Sequence, residues 1–348
     1  MRRGNAMKSR LRALGAGALL LAAAAGWSQQ AGNVAAVIVP GPLQVSMSVF
    51  SAGAAPGAGP NELLATRDGT LWFSGQAANS LGRIDPRTGE VREFALKTPR
   101  SGPRGLVQDR QGNIWYAGQA AGLVGKLDPR SGAVTEYRLP EGKGGPNALR
   151  IDRTGAVWFT AEDANQVGRL EPKTGEIRFL SLPTPGARPY GMAFDPRGNL
   201  FIAQSGIPGL VMVTPSTMAV REYRLPDPAA RVRRVAVTPD NQVWYTDDAR
   251  GRIGRLDPDT GEVKEWPSPS GPNSAPYGIT AIGDRLWYGE SQASPNTVVR
   301  FDPDTETFQS WAIPGGGSSA RDTAVTHEGD LVLANSVGNG LTVVKIGR

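Results

Sequence analysis

The sequence predicts an all-β protein, a seven-bladed β-propeller of four-stranded blades. Two repeated motifs and an abundance of turn-forming residues support this fold, since 45 of the 348 residues are Gly and 28 are Pro. Both residue types interrupt helices and favour tight turns between short strands. A unit of four short strands that recurs about every 40 residues is typical of propeller blades.

The first motif is a Leu, Ile or Val followed directly by an aromatic residue, and copies of it recur at a regular interval along the chain. The steps from Trp72 to Trp115 and from Trp115 to Trp158 are both 43 residues. Continuing along the chain, the equivalent positions are Phe201, Trp244, Trp287 and Val332. Seven copies of one unit are enough to close a ring of blades.

The second motif is an acidic residue followed by Pro, a variable residue, Thr or Ser, and Gly. It begins at Asp85, Asp128, Glu171 and Asp257, with degenerate copies at Thr214 and Asp302. The acidic side chain accepts backbone hydrogen bonds, Pro fixes φ, and Gly takes a positive φ. We interpret the motif as a structural hairpin turn without a chemical role.

Within each repeat, apolar residues alternate with polar ones and predict four short strands. The repeats begin near residues 60, 103, 146, 189, 232, 276 and 320. The seventh ends after a third strand, and residues 43–50 lie where a fourth strand would precede the first repeat. We therefore predict one propeller domain at 43–348, with the N-terminal strand completing the last blade and closing the ring.

Residues 1–28 have the pattern of a secretory signal peptide. An uncharged apolar run at 13–27 follows five basic residues, which are Arg2, Arg3, Lys8, Arg10 and Arg12. Their removal takes the formal charge from +6 to near +1 and disfavours a nucleic-acid partner. We predict a short N-terminal segment at 29–42, a periplasmic or secreted protein, and no membrane span after signal removal. An uncleaved N-terminal anchor is the alternative.

The sequence has no Cys and one His, which excludes several kinds of site. Disulfides, thiolate metal sites, cysteine nucleophiles and multi-His metal sites are all ruled out. His327 falls in the predicted turn between the first two strands of the last blade. That turn lies on the face opposite the loops that lead into the first strands, so His327 could not serve as a base there.

The repeats also carry Pro-Tyr-Gly, Trp-aromatic and Gly-Arg-apolar motifs. These are most complete at Pro189-Tyr190-Gly191, Pro276-Tyr277-Gly278, Trp158-Phe159-Thr160, Gly82-Arg83-Ile84 and Gly254-Arg255-Leu256. They resemble the motifs of the streptogramin B (virginiamycin B) lyase family over all seven repeats. The resemblance implies a propeller that opens the lactone ring of cyclic depsipeptides by magnesium-assisted β-elimination, with His moving protons and Glu near the metal.

The catalytic positions of that family do not carry over to this sequence. The resemblance places a His where Tyr277 stands, and an acidic-Pro-His triplet where residues 319–321 read Ser-Ala-Arg. Asn335 and Ser336 stand where a Glu is expected, whereas Asp247 and Glu290 keep acids at the equivalent position of other repeats. The sequence therefore predicts loss of the lyase machinery.

If lyase chemistry is retained, Tyr277 or Glu290 would have to replace His as the base. Tyr is a poor base at neutral pH unless its pKa is lowered, which neighbouring Arg residues could do. Magnesium would then be the cofactor, with Asp247 and Glu290 as candidate ligands because hard cations prefer oxygen. Otherwise no cofactor is expected.

A ring of polar residues follows the first residue of each repeat, where propeller loops converge on the central channel. The ring consists of Asn61, Arg104, Asn147, Tyr190, Arg233, Tyr277 and Arg321. Guanidinium groups focused on a channel mouth favour a carboxylate or phosphate ligand. The alternative is structural, with the Arg residues neutralised by acids on the neighbouring loops, namely Asp163, Asp247, Asp248 and Glu290.

Together these features favour an exported, monomeric binding propeller that takes a small anionic molecule, or a peptide or protein, at the channel. One alternative is a carbon–oxygen lyase of the streptogramin B type with a rearranged site. The other is a periplasmic scaffold that docks a partner protein through one face of the propeller.

Overall fold

The computed structural model describes Ile38 and residues 43–53, 59–316, 319–336 and 338–347. The predicted signal peptide at 1–28 lies outside these residues, as does the segment at 29–42 apart from Ile38. Ile38 forms an isolated parallel bridge with Phe308. In the part of the chain that is described, no helix is long and apolar enough to cross a membrane.

The chain forms seven antiparallel sheets of four strands each. Blade 1 contains β2 (Pro60–Ala65), β3 (Leu71–Gly75), β4 (Ser80–Ile84) and β5 (Val91–Ala95). Blade 2 contains β6 (Pro103–Gln108), β7 (Ile114–Gly118), β8 (Leu123–Leu127) and β9 (Val134–Arg138). Blade 3 contains β10 (Pro146–Ile151), β11 (Val157–Ala161), β12 (Gln166–Leu170) and β13 (Ile177–Ser181). Blade 4 contains β14 (Pro189–Phe194), β15 (Leu200–Gln204), β16 (Gly209–Thr214) and β17 (Ala219–Arg224).

The remaining blades follow the same plan. Blade 5 contains β18 (Val232–Val237), β19 (Val243–Asp247), β20 (Arg252–Leu256) and β21 (Val263–Pro267). Blade 6 contains β22 (Pro276–Ile282), β23 (Arg285–Glu290), β24 (Thr297–Asp302) and β25 (Thr307–Ala312). Blade 7 contains β26 (Ala320–Val325), β27 (Leu331–Asn335), β28 (Gly340–Ile346) and β1 (Val45–Ser51), and a 3₁₀ turn at Pro314–Gly316 precedes it.

The first strand of each blade packs beside the first strand of the next, and β26 returns to β2. The predicted closing strand β1 pairs with β28 in continuous register, from Val45 opposite Ile346 to Ser51 opposite Gly340. This pairing covers the free edge of β28 and completes the ring. The predicted seven-bladed propeller is confirmed.

The two faces of the ring differ in which strand ends they carry. The channel face carries the start of each first strand and the end of each second strand, as where Pro60 pairs with Gly75. The far face carries the turns between these two strands, such as the turn at 326–330 between β26 and β27.

Consecutive aromatic residues in the second strands fill the spaces between blades. Successive side chains of a strand point to opposite sides of a sheet. Trp115 accordingly packs with Phe159 of blade 3, while Tyr116 packs with Trp72 of blade 1. All four side chains are buried, so these aromatic residues form core rather than a stacking surface.

In blades 2 and 3, an Asp six residues before the Trp accepts a hydrogen bond from the buried indole N–H. Trp115 Nε1 donates to Asp109 Oδ2 at 2.9 Å, and Trp158 Nε1 donates to Asp152 Oδ2 at 2.8 Å. Asp109 Oδ1 also accepts the backbone N–H of Asn113 at 2.9 Å in the turn between the strands. One carboxylate thus fixes both the turn and the core side chain, which explains the spacing of the motif.

Gly in the third strand makes room for the second aromatic residue. Phe73, Tyr116, Phe159 and Tyr245 lie opposite Gly82, Gly125, Gly168 and Gly254 in register. A Cβ at Gly168 would lie 2.0 Å from Cζ of Phe159, far inside contact distance. The Gly-Arg-apolar motif therefore reflects packing of the ring onto the backbone.

We expect Gly168→Ala to lower the free energy of unfolding by about 1–3 kcal/mol, because the added methyl overpacks the ring of Phe159. Gly144→Ala is the matched control, since a Cβ there meets no atom within 4 Å. Urea unfolding followed by tryptophan fluorescence measures both variants. Equal stability of the two would contradict this account of the glycine.

Candidate functional site

The predicted ring residues lie at the channel face, and four of them are hydrogen-bonded to a residue 15 positions later in the same blade. The four pairs are Asn61 Nδ2 to Gln76 Oε1 at 2.9 Å, Arg104 Nε to Gln119 Oε1 at 2.9 Å, Asn147 Nδ2 to Glu162 Oε2 at 3.0 Å, and Arg233 Nε to Asp248 Oδ2 at 2.9 Å. Arg104 also reaches blade 1, where its Nη1 donates to Asn61 Oδ1 at 3.4 Å. The loop after each second strand therefore positions the ring side chain of its own blade.

Tyr190 and Tyr277 form a bridge from blade 4 to blade 6. Their hydroxyl oxygens are 2.7 Å apart, and their rings meet edge to face with centroids 6.3 Å apart. The guanidinium of Arg233 lies 5.3 Å from the ring centre of Tyr190 and 5.8 Å from that of Tyr277. The aromatic pair and the cation close one side of the channel as a packed unit.

Tyr277 is poorly suited to act as a base. Burial raises the pKa of its hydroxyl, and the neighbouring Tyr190 raises it further. Arg234 and Arg233 act in the opposite direction, but the net shift is upward. The lowering by Arg residues that base catalysis would need is not achieved in this arrangement.

The carboxylates of Asp247 and Glu290 are already bonded to neighbouring side chains and backbone groups. Asp247 is fully buried, pairs with Arg250 through Oδ2 at 2.6 Å, and accepts the backbone N–H of Arg231 through Oδ1 at 3.1 Å. Burial raises the pKa of this carboxyl. Glu290 is also fully buried and accepts hydrogen bonds from the hydroxyls of Ser268, Ser270 and Thr297.

These contacts do not suit a magnesium ion held by the two carboxylates. The oxygens of Glu290 already accept hydroxyl and backbone donors, and those of Asp247 accept a guanidinium and backbone N–H groups. Among the described residues, no group of three or more acidic or His side chains is gathered as in a metal site. The side chains present therefore do not fit the metal that the lyase hypothesis requires.

The acids predicted to neutralise the ring do so at one position. Asp248 pairs with Arg233 at 2.9 Å and with Arg231 at 2.6 Å. By contrast, Arg104 and Arg321 make no ion pair within the described ranges of the chain. Arg321 is exposed, and its Nε donates to Ser319 Oγ at 2.9 Å.

A cleft of about 800 Å³ opens on the channel face over blades 2 to 4. Its charged lining residues are Arg104, Glu141, Glu162, Asp163 and Arg188, and Gln119 and Tyr190 lie beside them. Arg188 is paired with Glu162 at 2.7 Å, so its charge is already balanced. Two of the predicted ring residues, Arg104 and Tyr190, therefore border one depression large enough for a small ligand.

One layer deeper, the channel contains three charged residues that the sequence analysis did not select. Arg234 pairs with Glu62, and its Nη2 lies 4.0 Å from Asp322 Oδ1. The side chains of Arg234 and Glu62 are 8% and 4% exposed, and that of Asp322 is 16% exposed. Asp322 Oδ2 also accepts the backbone N–H of Leu63 at 2.8 Å, which joins blade 7 to blade 1.

Burial raises the pKa of Asp322 to about 7, and the negative charge of Glu62 adds to this effect. Arg234 lowers it, but not enough to offset the other two. Because its pKa lies near neutrality, Asp322 can gain or lose a proton under ordinary conditions.

A family model for the virginiamycin B lyase family matches residues 28–288 and 210–347. The chain belongs to this family. Among solved structures, a streptogramin B lyase has a TM-score of 0.79 at 24% identity, covering 87% of this chain and 98% of its own. A catalytically inactive His-to-Ala variant of virginiamycin B lyase from Staphylococcus aureus, solved with quinupristin, has a TM-score of 0.79 at 21% identity over 87% and 99%.

A more distant match is the extracellular domain of a one-component system protein from B. thetaiotaomicron, with a TM-score of 0.65 at 13% identity. It covers 82% of this chain and 40% of that one. No curated protein sequence matches the chain. At these identities the structural likeness shows the shared fold.

In this member of the virginiamycin B lyase family, the single His lies on the far face. His327 is exposed in the turn at 326–330, next to the Val325–Leu331 pair. The channel-face end of the same hairpin is the Ala320–Asn335 pair. The length of the hairpin thus separates the imidazole from the ring residues.

A pattern in the sequence of this family member indicates the deeper charged layer. The second residue after the start of each first strand is Gly in blades 2, 4 and 6 and Ala in blade 3. Glu62, Arg234 and Asp322 occupy the same position in blades 1, 5 and 7. Aligning the repeats one residue beyond the predicted ring would have revealed them.

The raised pKa of Asp322 predicts that stability falls as pH rises. Its carboxyl holds a proton in the folded state at pH values where the unfolded chain has lost it, so the folded state binds more protons between about pH 4 and 7. This contribution changes by at most about 1.4 kcal/mol per pH unit and levels off above pH 7.

Urea unfolding at pH 5 and pH 8 measures this effect. We expect Asp322→Asn to remove the corresponding part of the decrease, whereas the exposed control Asp284→Asn should leave it unchanged. The same pH dependence in wild type and Asp322→Asn would show that Asp322 is not the titrating group.

Proposed function

We propose that this member of the virginiamycin B lyase family is an exported binding propeller that holds a small anionic ligand at its channel face. The observation that carries the proposal is the pair of guanidinium groups at Arg104 and Arg321. Both stand at the channel face without an ion pair among the described residues. A carboxylate or phosphate offers the acceptor geometry that a guanidinium fork prefers.

Arg104 is the more precisely positioned of the two cations. Gln119 and Asn61 are its hydrogen-bond partners, and both are neutral, so its guanidinium is held in place without a direct bond to a carboxylate. The cleft of about 800 Å³ beside it gives a ligand access. Tyr190 adds an aromatic edge at the border of the same cleft.

Export is supported by the signal-peptide pattern at 1–28. The fold shared with an extracellular domain from B. thetaiotaomicron is consistent with such a location. The lack of Cys suits an oxidising compartment as well.

Lyase activity is the alternative, and family membership is the observation that favours it. A relative from S. aureus loses activity through a His-to-Ala substitution, yet here the single His lies on the far face. Tyr277 has a raised pKa and Glu290 is enclosed by hydroxyl donors, so neither is placed to take a proton from a substrate.

We expect no conversion of quinupristin by the purified protein, with or without magnesium, because neither Tyr277 nor Glu290 is placed to act as the base. Liquid chromatography with mass spectrometry measures the outcome. A product of unchanged mass and shifted retention would show elimination and would establish the lyase alternative. A product heavier by one water would indicate hydrolysis.

We expect a small polyanion to bind at the channel face, with an affinity that falls as salt concentration rises. Calorimetric titration with citrate, pyrophosphate and triglutamate tests this expectation. Arg104→Gln should weaken binding about tenfold or more, since a hydrogen bond to a charged group contributes about 1.5–3 kcal/mol. Arg321→Gln should weaken it as well.

The matched control is Arg130→Gln, which removes an exposed Arg in the turn between β8 and β9. It should bind as the wild type does. Equal loss in this control would indicate a general effect of net charge, and no binding of any of the three probes would contradict the proposal.

A further inference from the structure

A second cavity, of about 280 Å³, lies in the central channel on the far-face side of the charged layer. Segments of the first strands of blades 3 to 7 line it, and its polar members are Arg150, Arg234, Thr280, Asp322 and Thr323. It is separate from the cleft at the channel face, whose lining shares none of these residues.

Arg150 is a cation in this cavity without a carboxylate partner among the described residues. Its Nη1 donates to the backbone oxygen of Leu149 at 2.7 Å, and this is the one bond its guanidinium makes within those residues. A guanidinium has five N–H donors, so most of its capacity is unused. Burial lowers the pKa of Arg150 and the positive charge of Arg234 lowers it further, whereas the negative charges of Asp322 and Glu62 act in the opposite direction without reversing the shift.

Two further buried donor groups in this region lack a hydrogen-bond acceptor among the described residues. Arg234 is paired with Glu62, but its buried Nε has no partner within the described chain. Thr323 Oγ1 is likewise buried and without a partner there. Buried donors of this kind are costly unless they are satisfied, and both belong to residues that line the cavity together with Arg150.

We propose that the channel cavity lined by Arg150, Arg234 and Thr323 is a binding site for a small oxyanion. A tetrahedral or planar oxyanion presents several acceptor oxygens to two guanidinium groups and a hydroxyl. Its negative charge offsets the positive charge of Arg150, which makes no direct ion pair with a carboxylate among the described residues. The volume of the cavity admits an anion of the size of sulfate or phosphate.

Asp322 couples this site to protons. It borders the same cavity, and its carboxylate repels an anion when ionised. The charged groups around it are Glu62, Arg234 and Arg150, and with a pKa of about 7 its carboxyl gains its proton near neutrality. Anion binding therefore strengthens as pH falls through this range.

Calorimetric titration with sulfate at pH 6 and pH 8 tests the proposal, because sulfate does not change its own charge between these values. We expect tighter binding at pH 6 for the wild type. Arg150→Gln should weaken sulfate binding about tenfold or more. Asp322→Asn should bind sulfate more tightly than the wild type at pH 8 and should lose the pH dependence.

Arg130→Gln, which removes an exposed Arg in the turn between β8 and β9, is the control and should leave sulfate binding unchanged. Wild-type crystals soaked in selenate give a readout that does not depend on any variant, with an anomalous peak expected beside Arg150 and Arg234. The proposal is overturned if selenate occupies only the protein surface, or if Arg150→Gln binds sulfate as tightly as the wild type. Loss of binding in Arg104→Gln alone would assign the sulfate to the channel face instead.

Discussion

Seven first strands converge on one channel, and the room between them decides which residues the channel can hold. Gly105, Gly191 and Gly278 lie so close to the next blade that a Cβ would come within 2.5, 2.6 and 2.9 Å of its backbone. Gly thus alternates with side-chain-bearing residues around the ring. Because seven is odd, the alternation fails once, where blades 7 and 1 meet and place Asp322 beside Glu62. Arg234 then supplies the positive charge that this buried acidic pair requires.

The same crowding divides the channel into layers of different chemistry. At the channel face the ring residues are joined mainly to partners in their own blades, so they form a hydrogen-bonded rim. Below it, charges from separate blades meet in the channel itself. Arg234 connects the layers, since its guanidinium lies 5.3 Å from the ring centre of Tyr190 as well as pairing with Glu62. Members of one family can therefore share a scaffold while differing in what the channel binds.

Most of the fold could be read from the sequence because its determinants are local and repeated. The Trp72, Trp115 and Trp158 register and the acidic-Pro turns each act within one blade, whereas the strand at 45–51 was predicted from the fourth strand that the last repeat lacks. The site could be predicted only in part. The position of Arg104 in the ring followed from the repeat, but its neutral partners and the occupation of Glu290 by three hydroxyls depend on side-chain geometry. The pKa of Asp322 was beyond reach for a further reason, since it arises from burial and from charges on other blades that no local pattern reports.

The pairing of β1 with β28 has a consequence for how the molecule forms. Strands at opposite ends of the chain share one sheet, from Val45 opposite Ile346 onward. Six blades consist of consecutive strands, whereas the seventh forms only when β1 pairs with β28 from the opposite end of the domain. Closure of so long a loop is slow compared with hairpin formation. Until it happens, the outer edge of β28 has no pairing strand. The pairing of β1 with β28 therefore makes the last blade depend on residues from both ends of the propeller domain.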